Sequence, residues 1–93
     1  MYSVTKEIHF CYGHRLLRHQ GKCRHLHGHN ARAVIRLESE ALDDLGMVVD
    51  FSDIGVHVKE WLDRNIDHNM LLCRADPVLP LLQGQGERVY VTD

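Results

Sequence analysis

The chain has 93 residues, of which 44% are hydrophobic and 26% are charged, and its net charge is -2. This length and composition indicate one small domain of the soluble globular class. No apolar run is long enough to span a membrane, and the N-terminus lacks the apolar region of a signal peptide. Three cysteines are too few and too scattered for a disulfide framework, so we expect a reducing compartment, the cytoplasm.

The charges are distributed unevenly. Residues 1–36 contain seven basic residues and one acidic residue, whereas residues 37–93 contain four basic and twelve acidic residues. Four of the basic residues precede a histidine cluster: Arg15, Arg18, Lys22 and Arg24. Two interpretations stay open, a solvated loop or a loop that captures an anionic substrate such as a polyphosphate. Nucleic-acid binding is less favoured, because the second half is acidic and offers few aromatic side chains for stacking.

The first half of the chain predicts two β-strands. Apolar and aromatic residues alternate over residues 2–12, which indicates a strand, and His14 continues the same parity. Residues 15–26 are basic and without periodicity, so we expect a loop. Alternation returns from Asn30 to Glu40 and predicts a second strand, antiparallel to the first.

The second half changes period. After a turn at 42–46, apolar residues spaced by three and four from Phe51 to Ile66 predict an amphipathic helix. Asp50 or Ser52 would cap its start. Pro77 and Pro80 argue against a regular helix between them, residues 84–86 predict a turn, and residues 88–92 predict a short strand.

Three histidines have the spacing of a zinc site. His27 and His29 are two apart, and on a strand this places both side chains on one face with Cα atoms about 6.6 Å apart. Gly28 between them leaves room for close backbone approach. His14, at the end of the neighbouring strand, would supply a third imidazole, and three protein ligands leave a fourth position open, as in catalytic zinc sites. The alternatives are a chance cluster of surface histidines, or His25 as a competing ligand.

Cys23, Asp67 and His68 are candidates for proton transfer. Cys23 lies four residues before His27, about 13 Å in extended chain, so we expect a neighbour of the metal and not a ligand. A thiol near zinc can act as a base, and an Asp that orients a His can relay its proton. The alternative for His68 is a favourable charge at a helix C-terminus. Cys11 and Cys73 have apolar neighbours, and we expect them to be small packing residues.

Four motifs in this chain resemble the 6-pyruvoyltetrahydropterin synthase superfamily. They cover about residues 2–72 in the family order: Phe10-Cys11-Tyr12-Gly13-His14, Cys23-x-x-x-His27-Gly28-His29, Val49-Asp50-Phe51 and Asp67-His68-x-x-Leu71. The spacing of the second motif is most similar to the bacterial branch that makes 6-carboxy-5,6,7,8-tetrahydropterin for queuosine biosynthesis. A departure from the family is Gly55, where its members usually have Lys.

The resemblance implies an α+β tunnelling fold (T-fold), with a four-stranded antiparallel sheet and helices packed on one face. It implies trimers that stack as a homohexamer, with active sites between subunits. It implies Zn²⁺ on His14, His27 and His29, Cys23 as catalytic base, and a relay through His68 and Asp67. The family continues with a further helix and two strands, which carry a glutamate that anchors the pterin. We therefore expect residues 1–93 to form a single T-fold domain that is C-terminally incomplete relative to the family.

The implied activity is that of a zinc-dependent lyase. Its substrate would be 7,8-dihydroneopterin triphosphate, and its products would be 6-carboxy-5,6,7,8-tetrahydropterin, acetaldehyde and triphosphate, with no nucleic-acid or membrane partner. Three alternatives remain: a paralogue with a different pterin product, a non-catalytic zinc-binding module, and a phosphate- or nucleic-acid-binding module.

Overall fold

The computed structural model describes all 93 residues and contains one four-stranded sheet in the order β2-β1-β3-β4. The strands are β1 (Tyr2–His14), β2 (His27–Ser39), β3 (Asn69–Cys73) and β4 (Val89–Thr92). The α-helices are α1 (Phe51–Ile54), α2 (Glu60–Asn65) and α3 (Leu79–Gly84). A 3₁₀ turn spans Lys22–Arg24, and a π-helical segment spans Gly55–Lys59. None of these helices has the length and hydropathy needed to cross a membrane.

Strands β1 and β2 form a long antiparallel hairpin, which confirms the two predicted strands. Their register places Tyr2 opposite Ser39 and His14 opposite His27, with every intervening residue paired. Both strands extend further than the sequence pattern indicated, because the ladder continues through the histidine-rich end. That end is therefore part of the sheet and not of the loop.

The sheet is mixed, so the expectation of a wholly antiparallel sheet is wrong in strand direction. Strand β3 runs parallel to β1, and β4 runs parallel to β3. The chain leaves β2 through the helical segment 51–65 and returns beside β1, and it leaves β3 through α3 and returns beside β3. The connection from β3 through α3 to β4 is a crossover between parallel strands, which a tight turn cannot make, whereas β2 and β3 run in opposite directions with β1 between them.

The predicted amphipathic helix is confirmed as one helical segment with a π turn at its centre. Asp50 caps its start, since its Oδ1 accepts a hydrogen bond from the Ser52 N–H at 2.9 Å. The buried cluster joins this segment to β1 through Ile8, Leu62 and Ile66, with Phe10, Tyr12 and other half-buried side chains around them. Each such aliphatic side chain contributes about 1.5–3 kcal/mol by burial. The helix therefore covers the sheet face that carries the even-numbered side chains of β1.

Helix α3 was not predicted from the sequence. It begins at Leu79, after Pro77, and Pro80 lies in its first turn. A proline is tolerated there because the N–H groups of the first turn have no partner within the helix. The prolines thus start this helix instead of preventing it.

A nearly buried ion pair ties the loop after β1 to the turn after β3. The Arg15 guanidinium donates from Nε to Asp76 Oδ2 at 2.7 Å and from Nη2 to Oδ1. The Asp76 side chain is 1% exposed and also accepts from the Val78 N–H at 2.8 Å. The hydrogen bond from Arg15 lowers the pKa of Asp76, against the opposing effect of desolvation, and it raises the pKa of Arg15. Arg15 is therefore committed to Asp76 and does not belong among the free cations of the loop.

We expect Asp76→Ala to lower the free energy of unfolding by roughly 3 kcal/mol at pH 7, because it leaves a guanidinium without its partner. Urea unfolding measures this loss. The depressed pKa of Asp76 in the folded state means that its contribution is present above the unfolded value of about 3.9, and is lost as the pH falls through the lower folded value. The difference in the free energy of unfolding between wild type and variant should therefore shrink below about pH 4.

Asp63→Ala is the matched control, because it removes an exposed Lys59–Asp63 pair of 2.8 Å and should change stability little. An Asp76→Ala variant as stable as the control would contradict the structural role of this pair.

Candidate metal centre and adjoining cavity

Three imidazoles converge at the open end of the β1–β2 hairpin. His14 ends β1 opposite His27, the first residue of β2, and His29 lies opposite Tyr12. Residues directly opposite each other share a sheet face, so all three histidines project on the same side. Their ring centroids lie 4.6, 4.8 and 4.9 Å apart, and the Nε2 atoms of His14 and His29 are 3.0 Å apart. The structure therefore brings together the three ligands predicted from the sequence.

The orientation of His27 suits a metal ligand. Its Nδ1 donates a hydrogen bond to the His25 carbonyl oxygen at 2.7 Å, which leaves the lone pair on Nε2. That Nε2 is buried and has no hydrogen-bond partner. An unpaired buried polar atom costs about 1–3 kcal/mol, and a bound cation would satisfy it. A backbone carbonyl that accepts from the other ring nitrogen, and so fixes the tautomer, is also typical of metal-binding histidines.

The electrostatics of the cluster favour the neutral imidazole. Burial lowers the pKa of His14, and repulsion from His27 and His29 lowers it further. Neutral imidazole is the form that binds metals. The Tyr12 ring packs against His14 at 5.4 Å and against His29 at 5.7 Å between centroids, and so restricts both rings. The donor set therefore fits a cation such as Zn²⁺, for which three histidines are an established ligand set.

The turn before β2 holds the two other candidates of the predicted site. His25 contributes its backbone carbonyl, while its imidazole lies outside the three-histidine group. The Cys23 carbonyl accepts from the Leu16 N–H at 2.7 Å. Its half-buried thiol has no hydrogen bond and is not among the atoms that converge with the histidines. The role of Cys23 as a base stays a prediction.

Asp67 and His68 lie against a different thiol, that of Cys11. The Cys11 N–H donates to Asp67 Oδ1 at 2.9 Å, and the His68 N–H donates to the Cys11 carbonyl at 2.7 Å. The Cys11 sulfur lies 3.6 Å from both ring nitrogens of His68, and His68 Nε2 lies 3.7 Å from Asp67 Oδ2. Cys11 therefore has polar neighbours, and the expectation of apolar surroundings is wrong for this cysteine. Its odd position in β1 was the available signal, since it faces away from the side chains that meet the helix.

One open cavity of about 860 Å³ borders both clusters. Its lining includes His27 and His29 from the first cluster, and Cys11 and His68 from the second. Asn69 also lines it: this side chain is 6% exposed, its Nδ2 donates to the Asn65 carbonyl at 2.7 Å, and its Oδ1 has no partner. Asn69 was not predicted from the sequence, although it follows His68 directly. Asn69 thus places a buried acceptor without a hydrogen-bond partner next to the cavity.

Neighbouring strands approach most closely at Gly13, and not at Gly28, where the sequence suggested it. A Cβ atom at Gly13 would lie 2.4 Å from the Met70 sulfur and 3.3 Å from the His27 carbonyl oxygen. A Cβ at Gly28 would meet the Tyr12 carbonyl oxygen at 3.6 Å, an ordinary contact. The glycine between Tyr12 and His14 therefore lets β3 pack closely beside the histidine end of β1.

The chain is similar to known proteins over most of its length. Residues 3–85 match the family described as 6-pyruvoyl tetrahydropterin synthase. It is 39% identical to a 6-carboxy-5,6,7,8-tetrahydropterin synthase of Rickettsia bellii and 42% identical to one of Rickettsia conorii. Each of these alignments covers 97% of this chain and 67% of the relative. A relative of the same name from Synechocystis is 37% identical over 76% of this chain and 58% of its own length.

A solved structure shares the fold. A crystal structure of an uncharacterized protein from Wolinella succinogenes superposes with a TM-score of 0.72 at 35% identity, over 89% of this chain and 51% of that one. The four-stranded sheet with its helices is thus that of a T-fold protein. The chain belongs to the 6-pyruvoyl tetrahydropterin synthase family. It spans about two thirds of the length of the Rickettsia relatives and about half of the Wolinella chain.

We expect His27→Ala to weaken the affinity for the first equivalent of zinc by more than about 100-fold, because loss of a group that only hydrogen-bonds to a ligand already costs about 10–100-fold. Competition with a chromophoric chelator measures the affinity. His25→Ala is the matched control, since it keeps the carbonyl that holds His27. His9→Ala is a second control, on the opposite face of β1. Unchanged zinc affinity in the His27 variant would rule out the three-histidine centre.

Proposed function

We propose that this chain carries the metal centre and proton relay of a zinc-dependent lyase. The reaction converts 7,8-dihydroneopterin triphosphate and one water into 6-carboxy-5,6,7,8-tetrahydropterin, acetaldehyde and triphosphate, in queuosine biosynthesis. The observation that carries the proposal is the three-histidine cluster with its buried, unpaired His27 Nε2 beside a cavity that His68 also lines. The names of the Rickettsia and Synechocystis relatives support the choice of reaction.

His14, His27 and His29 would hold the zinc. When bound, zinc supplies a Lewis acid that polarises substrate oxygens and stabilises developing negative charge. The chain's own contribution to the site is orientation: the His25 carbonyl fixes the tautomer of His27, and Tyr12 restricts the two other rings. Burial of His14 and repulsion from the two other imidazoles lower the pKa of His14, which favours the neutral form that binds a metal.

Proton transfer is assigned to Cys23, His68 and Asp67. Cys23 removes a proton from a side-chain carbon of the pterin, His68 accepts protons from the thiol, and Asp67 orients His68. The carbon–oxygen bond to triphosphate and one side-chain carbon–carbon bond break. The two electrons that reduce the dihydropterin ring come from oxidation of the side chain, so no external redox cofactor is needed.

We further propose that each active site forms between two copies of the chain in a homotrimer or homohexamer. Within one chain His68 lies against Cys11, and the thiol of Cys23 has no hydrogen bond to it. We therefore assign the relay to Cys23 of one copy and His68 of another. Two further observations support assembly: only 8 of 93 residues are buried, and β2 and β4 each leave one edge of the sheet unpaired.

The remaining basic residues of the loop would meet the triphosphate. Arg15 is excluded by its bond to Asp76, while Arg18, Lys22 and Arg24 are exposed. Phosphate groups pair well with such side chains. The proposal also places the enzyme in the cytoplasm, where its three free cysteines would stay reduced.

The test is to incubate the zinc-loaded protein with 7,8-dihydroneopterin triphosphate and to identify the products by chromatography and mass spectrometry. We expect 6-carboxy-5,6,7,8-tetrahydropterin and acetaldehyde. Cys23→Ala should lower turnover by about 10²–10⁴-fold with zinc content unchanged. Cys73→Ala, which removes a thiol outside both clusters, should leave turnover intact. A different pterin product would favour a paralogous activity, and zinc binding without turnover would favour a non-catalytic module.

Mixing experiments separate a shared site from a site within one chain. Cys23→Ala and His68→Ala proteins, each inactive alone, should recover part of the activity when mixed under conditions of subunit exchange, since some interfaces then carry both intact side chains. Absence of recovery, with exchange verified by mass spectrometry, would contradict the intersubunit relay.

A further inference from the structure

We propose that Cys11, Asp67 and His68 form a second metal site, selective for a thiophilic divalent cation such as Zn²⁺. The three side chains supply one thiol, one carboxylate and one imidazole, and their potential ligand atoms all lie within 4.8 Å of one another. Thiolate and imidazole are the preferred ligands of zinc, and a carboxylate completes many of its sites. The cluster is separate from the three histidines, which project on the other side of the sheet.

Two hydrogen bonds fix the cluster before any metal binds. The N–H of Cys11 donates to Asp67 Oδ1, and the carbonyl of Cys11 accepts from the His68 N–H, at 2.9 and 2.7 Å. Residues 67 and 68 are thereby held against one residue of β1, through both its backbone N–H and its backbone carbonyl. Oδ2 of Asp67 is left free to face His68. Such preorganisation lowers the cost of assembling a site from separate parts of the chain.

The distances between donors match those of ligands on one zinc ion. Tetrahedral bonds of about 2.3 Å to sulfur and 2.0–2.1 Å to nitrogen place the two ligand atoms about 3.5 Å apart. The observed separation of the Cys11 sulfur from each His68 nitrogen is 3.6 Å. Equal distances place the sulfur beside the ring, and the His68 side chain is 74% exposed, so it is free to turn one nitrogen towards a shared ion.

The backbone of His68 is strained in a way that serves this site. His68 is the only non-glycine residue with positive φ, at 60°. This left-handed conformation costs a residue with a Cβ about 1–2 kcal/mol, and strain of this kind clusters at functional sites. Here it accompanies the bond from the His68 N–H to β1 and the placement of its ring beside Cys11. The remaining coordination position would open to the 860 Å³ cavity.

Occupation of this site has a consequence that rests on the proposed function. Asp67 and His68 cannot hold an ion and relay protons at the same time, so excess zinc would inhibit turnover. Metal binding itself does not depend on that reaction.

The test uses Co²⁺ as a spectroscopic probe, because a thiolate bound to Co²⁺ gives a near-ultraviolet charge-transfer band and three imidazoles do not. Titration of the full chain should produce this band only as the second equivalent binds. Cys11→Ser should abolish the band, while Cys23→Ala and Cys73→Ala should retain it. The His27→Ala variant should no longer bind the first equivalent of Co²⁺ but should still show the band. Asp67→Asn keeps an acceptor for the Cys11 N–H, so it should lower the affinity for the second equivalent of Co²⁺ without unfolding the chain.

Three results would overturn the second site: no band in the wild-type protein, a band that survives Cys11→Ser, or a band that depends on Cys23. Circular dichroism of each variant verifies folding. None of these results would count against the three-histidine centre, since that centre is detected by binding of the first equivalent of Co²⁺.

Discussion

The register of the β1–β2 hairpin is the constraint on which the site depends. Pairing of His14 with His27 and of Tyr12 with His29 places three imidazoles on one face and Cys11 on the other. Because side chains alternate along a strand, a slip of one residue between the two strands would send His27 and His29 to the face opposite His14. The apolar residues further along β1, such as Ile8, fix this register by packing under the helix. The hydrophobic pattern at one end of the hairpin thus positions the chemistry at the other.

Much of this hairpin could be predicted, because side chains alternate between the two faces of a strand, and both the fold and the site follow that alternation. The alternation of apolar residues predicted the two strands. His14 was placed on the face of Phe10 and Tyr12, and the spacing of His27 and His29 predicted the other two ligands. The amphipathic helix followed from spacings of three and four and from the Asp50 cap. These features are local in sequence, so their physical causes can be read from neighbouring residues.

The features that escaped prediction all depend on contacts between distant segments. The pair of Arg15 with Asp76 joins residues 61 apart, and nothing near Arg15 distinguishes it from the other loop cations. The contact of Cys11 with His68 joins residues 57 apart and depends on a positive φ at a non-glycine residue. The parallel course of β3 and β4 depends on which way each crossover returns. Local pattern sets none of these, because tertiary packing decides them.

The two clusters differ in their donor groups and border one cavity. His27 and His29 of the three-histidine cluster line it, and so do Cys11 and His68 of the second cluster. The most direct test of the account is zinc K-edge X-ray absorption on the protein loaded with one equivalent of zinc. The account predicts nitrogen scatterers at about 2.0–2.1 Å, with the outer-shell pattern of imidazole and no sulfur near 2.3 Å. A sulfur scatterer at that first equivalent would contradict the assignment of the primary centre to His14, His27 and His29.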